Sequence, residues 1–177
     1  NDAINSVINQ SYKNWELILV DDGSTDSTSL LAKKYCSVLT HITNLGKGSA
    51  LKTGCDYAYK KGGTRLVVMD ADGQHKPGEI PLFLQKLDNG ADLVVGCRKR
   101  NKTMPFMMKL GNFGLSWMMR VLFRVSAPDT QSGFRAFTRN AYKKIRWKSN
   151  DYAMESEILA KIQKDRLKYS TIPIETI

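Results

Sequence analysis

Two carboxylates set two residues apart, Asp70 and Asp72, close an apolar, partly β-branched run in Leu66-Val67-Val68-Met69-Asp70-Ala71-Asp72-Gly73-Gln74-His75. A buried strand that stops this abruptly delivers its acids to the rim of a sheet, and open α/β sheets bind ligands outside the carboxyl ends of their strands. Hard cations such as magnesium and manganese take carboxylate oxygens. The chemistry that follows is a metal-assisted site for a phosphorylated ligand. Asp and Gly also favour turns for local backbone reasons, so taken alone the motif is equally well a turn.

Three further stretches carry chemistry. In Val20-Asp21-Asp22-Gly23-Ser24, strand-end carboxylates suit ribose hydroxyls or a base N–H, with helix capping the structural alternative, above all for Asp26. Asn44-Leu45-Gly46-Lys47-Gly48-Ser49-Ala50 places glycines before a helix, where free amides and Lys47 suit a phosphate. It lacks the spacing of a P-loop or of a GxGxxG turn. In Asp129-Thr130-Gln131-Ser132-Gly133-Phe134-Arg135 a polar loop leads into an apolar strand that carries a guanidinium, a planar fork suited to phosphate. A surface arginine paired with an acid is the competing explanation.

The elements that position these loops follow from periodicity. Helices are expected over residues 1–10, 27–35, from Gly48 through Tyr57, over 80–87, and from Asp151 to Lys164; strands are expected over 15–20, 38–43, 66–69 and 92–95, the last running into a basic loop, 96–102. Strands alternating with helices argue for right-handed βαβ units in a mostly parallel sheet. The polar loops then share one sheet edge, which favours the ligand-site reading of Asp70 and Asp72. A sheet that begins with a helix raises the expectation of a preceding strand outside the chain.

With 177 residues, 42% hydrophobic and 25% charged, the chain fits one soluble domain. Cys36, Cys55 and Cys97 follow no CxxC pattern and read as reduced structural thiols of a cytosolic setting. The formal charge of +10, from 27 basic and 17 acidic residues, suits anionic partners without choosing among them. A basic nucleic-acid-binding domain rests on that charge alone, because no aromatics interleave the clusters at 98–102 and 143–148.

Taken in order, Val20-Asp21-Asp22-Gly23-Ser24-Thr25-Asp26, Asn44-Leu45-Gly46-Lys47-Gly48, Asp70-Ala71-Asp72-Gly73-Gln74-His75 and Gln131-Ser132-Gly133-Phe134-Arg135-Ala136 resemble family 2 glycosyltransferases of the GT-A fold. More closely they resemble the dolichyl- or polyprenyl-phosphate sugar transferase branch. The resemblance implies a Rossmann-like α/β fold with a mixed, mostly parallel sheet, forming a single catalytic domain over 1–177 that lacks the family's first strand and its C-terminal continuation. It implies inverting transfer from a GDP- or UDP-sugar to a polyprenyl or dolichyl phosphate with Mg²⁺ or Mn²⁺. Asp21 and Asp22 would hold the nucleoside, with Lys47 and Asp70 also on the donor. Asp70, Asp72 and Gln74 would bind the metal, with His75 a structural neighbour. Asp72, Arg98 and Arg135 would be catalytic, the arginines facing the phosphates of donor and acceptor, with Ser132 beside Arg135. A phosphate acceptor needs no base; a glycan hydroxyl would, and Glu155 is then the candidate, with Glu157 behind it. Both also read as solvated acids in a helix's first turn.

Residues 104–125 speak for a membrane. At 100° per residue, Lys109, Asn112, Ser116, Arg120 and Arg124 fall within roughly 120° and the rest of the wheel is apolar. The pattern fits an interfacial helix with its basic stripe toward headgroups, or burial on several sides. The expected location is therefore the cytoplasmic face of a membrane, peripheral or anchored through segments outside the chain. A non-catalytic membrane-binding scaffold is the remaining alternative.

Overall fold

The structure, a computed structural model, describes residues 2–98 and 133–175. Helix α1 (Asp2–Ile8) precedes β1 (Ile18–Asp21), α2 (Thr28–Ala32) and β2 (Ser37–Thr40). The long α3 (Lys47–Lys60) leads to β3 (Arg65–Val68), a 3-10 turn at Pro77–Glu79, α4 (Ile80–Asp88) and β4 (Leu93–Arg98). Then come β5 (Arg135–Thr138), α5 (Arg139–Ile145), α6 (Ala153–Lys164) and β6 (Tyr169–Ile174).

The strands form a mixed arrangement flanked by helices. β1 and β2 pair in parallel, and a four-stranded sheet runs β3-β5-β4-β6. β4 and β6 are parallel, while β5 lies antiparallel between β3 and β4. β5 opens within the expected motif, but its insertion between two earlier strands is not written in its residues. β6 is an edge strand of this sheet, a place where Pro173 removes no needed donor.

Alternation along the strands splits the core between two faces. One holds Leu66, Leu93, Val95 and Phe137 under Tyr142 of α5 and Ile158 of α6. The other holds Val94, Ala136 and Ile174 against Phe83 of α4. α3 spans both sheets: Cys55 enters the first core, and Gly54 comes so close to Val20 that a Cβ there would sit 3.0 Å from Cγ2. Asp56 on α3 accepts from Tyr142 Oη at 2.7 Å and from the Arg146 guanidinium at 2.7 and 2.8 Å, fixing α3 against α5. Thr138 caps α5, its Oγ1 accepting from the Ala141 amide at 3.1 Å.

Cys36 is half-buried, and Cys55 and Cys97 are buried; none of the three is in a disulfide among the described residues. Burial, with Asp56 next to it, pushes the Cys55 thiol well above its ordinary range. Among the described residues no helix is long and apolar enough to cross a membrane. The expected interfacial helix at 104–125 lies outside the described residues, as does Ser132.

Candidate active site

The site is built at the ends of β1 and β3, where apolar residues give way to acids. β1 continues one residue beyond the expected strand, so Asp21 is its last member and is 3% exposed. Its Oδ1 accepts from the Ser24 amide at 3.0 Å. Its Oδ2 is buried without a hydrogen-bond partner among the described residues, which leaves a strong acceptor for a ligand donor.

Asp22 is engaged differently. It accepts from the Leu45 and Gly46 amides, each at 2.9 Å, and meets His41 Nδ1 at 2.6 Å. His41 Nε2 reaches Thr53 Oγ1 at 2.9 Å, so one carboxylate ties the Asn44–Gly46 turn to β2 and α3. Burial opposes its ionisation, but these donors outweigh it and hold the Asp22 carboxyl below the ordinary aspartate range. The capping expected of Asp26 is present, its Oδ1 accepting from the Thr28 amide at 2.9 Å.

The glycines before α3 answer to packing. Gly46 has φ +91°, a conformation open to few other residues. A Cβ on Gly48 would lie 2.6 Å from the Ser149 carbonyl oxygen and 2.9 Å from that of Asp151. The 149–151 segment thus lies directly on the helix start, and the Ser49 amide donates to the Asn150 carbonyl at 3.2 Å. Trp147 completes the lock, its indole N–H donating to the Gly48 carbonyl at 2.7 Å. The amides of Gly46 and Ser49, read from sequence as part of a phosphate seat, are therefore used within the chain.

Lys47 stays directed at the site. Its ammonium lies 2.7 Å from Asp70 Oδ2 and 5.5 Å from the centre of the Tyr152 ring. Asp70 follows β3, whose antiparallel register pairs Val68 with Arg135 of β5. Continued by two residues, that register sets Asp70 opposite Gly133, where any side chain would overlap the carboxylate. Asp70, Gly133 and Arg135 therefore share one face of the sheet.

Arg135 is buried at 3% exposure and pairs with Glu155 of α6, Nη2 to Oε1 at 2.9 Å. The surface arginine weighed from sequence is thus a buried one. Glu155 is likewise buried rather than a solvated first-turn acid, because α6 packs that turn onto the sheet. Burial pushes its carboxyl up, against the pull of Arg135 and Lys47, with Asp70 adding to the rise. Glu157 faces the other way. It accepts from the amides of Lys148 and Ser149 and from Ser149 Oγ, and pairs with Lys161 at 2.7 Å. Burial opposes its charge, but these partners hold its carboxyl at about 2.

Asp72 and Gln74 are exposed beyond the strand, joined by an Asx turn in which Asp72 Oδ1 accepts from the Gln74 amide at 3.0 Å. His75 turns back into the fold, buried with its ring 5.3 Å from that of Phe134. Phe134 in turn packs on Phe83 at 4.2 Å. Lys76 and Glu79 fasten the loop exit to Glu175 after β6. Among the described residues no three His, Cys, Asp or Glu side chains converge as a metal site. The donor types nevertheless suit a hard divalent cation, and Asp70 already binds a cationic group, the Lys47 ammonium. Arg98 ends β4, placing its backbone at the carboxyl end of that interior strand. Sequence reasoning missed His41, Tyr152 and the role of Gly133; only the last had a signal, its place inside a recognised motif.

Comparison with known proteins agrees with this architecture. The model of glycosyl transferase family 2 matches residues 1–146. An uncharacterised protein of Methanocaldococcus jannaschii is 38% identical, with 99% of this chain and 75% of that protein aligned. The UDP-N-acetylglucosamine–dolichyl-phosphate N-acetylglucosaminyltransferase of Methanococcus voltae is 35% identical, over 99% of this chain and 79% of its own length. The polyprenol monophosphomannose synthase of Mycolicibacterium smegmatis is 32% identical over 73% of this chain and 53% of its own. In fold, the chain is similar to glucosyl-3-phosphoglycerate synthase from Mycobacterium tuberculosis, crystallised with Mn²⁺, UDP and glucosyl-3-phosphoglycerate. That match has a TM-score of 0.73 at 22% identity, covering 97% of this chain and 63% of that one. The chain belongs to glycosyl transferase family 2 and is a glycosyltransferase of the GT-A fold.

Proposed function

We propose that this domain transfers a sugar, with inversion, from a GDP- or UDP-sugar to a polyprenyl or dolichyl phosphate at the cytoplasmic surface of a membrane. The observation that carries the reading is the common face of Asp70, Gly133 and Arg135, with Lys47 on Asp70. Cation-binding carboxylate and anion-binding guanidinium thereby stand on neighbouring strands. One relative named for dolichyl phosphate and one named for polyprenol monophosphomannose support the acceptor class.

Each residue then has a task. The unpartnered Asp21 oxygen accepts from the donor's nucleoside. Asp22 shapes the turn that presents Lys47, so it acts on the donor through that turn. Lys47 and Arg98 bring positive charge to the diphosphate, and Ser132 and Arg135 receive the acceptor phosphate. Asp70, Asp72 and Gln74 would hold a divalent cation, and there it would supply Lewis-acid stabilisation of the leaving diphosphate. The acceptor is an oxyanion near neutral pH, so its attack needs orientation and no proton removal. The apolar composition of 104–125 and the charge of +10 suit a lipid surface.

A second reading has one observation in its favour: burial raises the Glu155 carboxyl, as a base for a glycan hydroxyl would require. Product analysis decides between them. Incubation with labelled GDP- and UDP-sugars should put label into a short polyprenyl phosphate; label in a hydroxyl-terminated glycan alone would reject the proposal.

A further inference from the structure

Glu155 sits where neither of its sequence readings put it. α6 delivers its first-turn carboxylate onto the sheet face that carries Asp70, where it meets the buried Arg135 guanidinium at 2.9 Å. Their side chains are only 9% and 4% exposed. Two opposite-charge pairs, Lys47–Asp70 and Arg135–Glu155, thus occupy one face of β3 and β5. Tyr152, one turn ahead of Glu155, lies against Lys47, so the start of α6 touches both pairs.

A buried ion pair adds little net stability compared with apolar residues of similar volume, whereas removing one partner is costly. What such a pair does provide is orientation. The guanidinium is a planar, delocalised cation, so a buried carboxylate held against it in an ion pair restrains where that plane lies. A general base needs an oxygen directed at the proton it removes. Here Oε1 lies in ion-pair contact with the Arg135 guanidinium, 2.9 Å from Nη2, and makes no hydrogen bond of its own among the described residues.

Resting on the polyprenyl-phosphate reading, we infer that Glu155 is the positioning residue of Arg135, aiming its guanidinium at the acceptor phosphate, and takes no part in proton transfer. No bond to Glu155 forms or breaks, and the acceptor's own phosphate oxygen attacks the sugar.

The test is steady-state transfer to a short polyprenyl phosphate by the full chain, comparing Glu155→Gln, Arg135→Lys and their double variant with unaltered protein. A positioning role predicts that Glu155→Gln raises the acceptor KM roughly tenfold or more, the worth of one misplaced guanidinium hydrogen bond to the acceptor phosphate. It predicts that kcat at saturating acceptor changes little and that the pH profile keeps its shape. The double variant should be no worse than Arg135→Lys, because both changes break one interaction. Should Glu155→Gln fail to fold, Glu155→Leu with Arg135→Met restores an apolar core while removing the phosphate reader. That pair should fold with the acceptor KM raised as in Arg135→Lys. Abolished turnover in Glu155→Gln with an unmoved acceptor KM and a lost limb of the pH profile would overturn the inference and leave the acceptor class intact. Unaltered protein that transfers only to a hydroxyl, or to neither acceptor, would overturn the acceptor class and the inference with it.

Discussion

Gly133 stands against the carboxylate of Asp70, opposite it in the continued register of β3 and β5. The acid of one motif can hold its place only because the other motif has no side chain there. β5 is paired on both edges and cannot move aside. Gly133→Ala should therefore force Asp70 off its position, costing about 1–3 kcal/mol of stability as overpacking does. Transfer should fall further than the lost stability accounts for. Denaturant midpoints and turnover of the variant measure both, and values equal to the unaltered protein would refute the steric account.

Asp22 is the fastener of the donor-side turn. Asp22→Ala strips the Leu45 and Gly46 amides and His41 of their acceptor, at a cost of about 2–3 kcal/mol. Asp22→Asn keeps one acceptor oxygen and should fall between. If instead Asp22 only touched ligand, both variants would unfold at the wild-type denaturant concentration.

Glu157 gives a pH signature. Its folded value of about 2 lies below the unfolded 4.5, so its contribution is fully present above the unfolded value. That contribution is lost as pH falls toward the folded value. The stability gap between wild type and Glu157→Gln should be widest near neutrality, narrow below pH 4.5 and close near pH 2. A gap of constant size across this range would show that the charge of Glu157 does not stabilise the 148–149 turn.

Lys47 is predicted to serve the donor rather than the fold, since its ammonium meets only Asp70 and the Tyr152 ring among the contacts described. Lys47→Met should leave the melting temperature within a few degrees of wild type, because ion pairs reached by solvent contribute about 0–1 kcal/mol and this pair is only half-buried. The donor KM should rise about tenfold, one lost charge-assisted contact. An unchanged donor KM would remove Lys47 from the site.

Much of this arrangement is legible in the chain because its motifs fall at strand ends. The run 66–69 and the periodicity of 48–57 and 80–87 report burial directly, and the acids that follow mark where burial stops. What stayed hidden depends on partners far away in sequence. Arg135 and Glu155 each look like surface charges until the sheet and α6 are packed together. Gly46 and Gly48 resemble a phosphate loop, yet the neighbour they admit is the backbone of 149–151. α5 was missed because its lysines mask Ala141, Tyr142 and Ile145, and β6 because Pro173 interrupts its pattern.

The central claim is that Asp70, Asp72 and Gln74 serve transfer of a sugar to a lipid phosphate. Its most direct measurement is label moved from nucleotide-sugar into the organic phase by the full-length protein, with Mg²⁺ or Mn²⁺, with EDTA, and in Asp72→Ala. The account predicts lipid-phase label with either cation, and loss of it in EDTA and in the variant while the variant keeps its melting temperature. Undiminished transfer in EDTA, or by a folded Asp72→Ala protein, would contradict it.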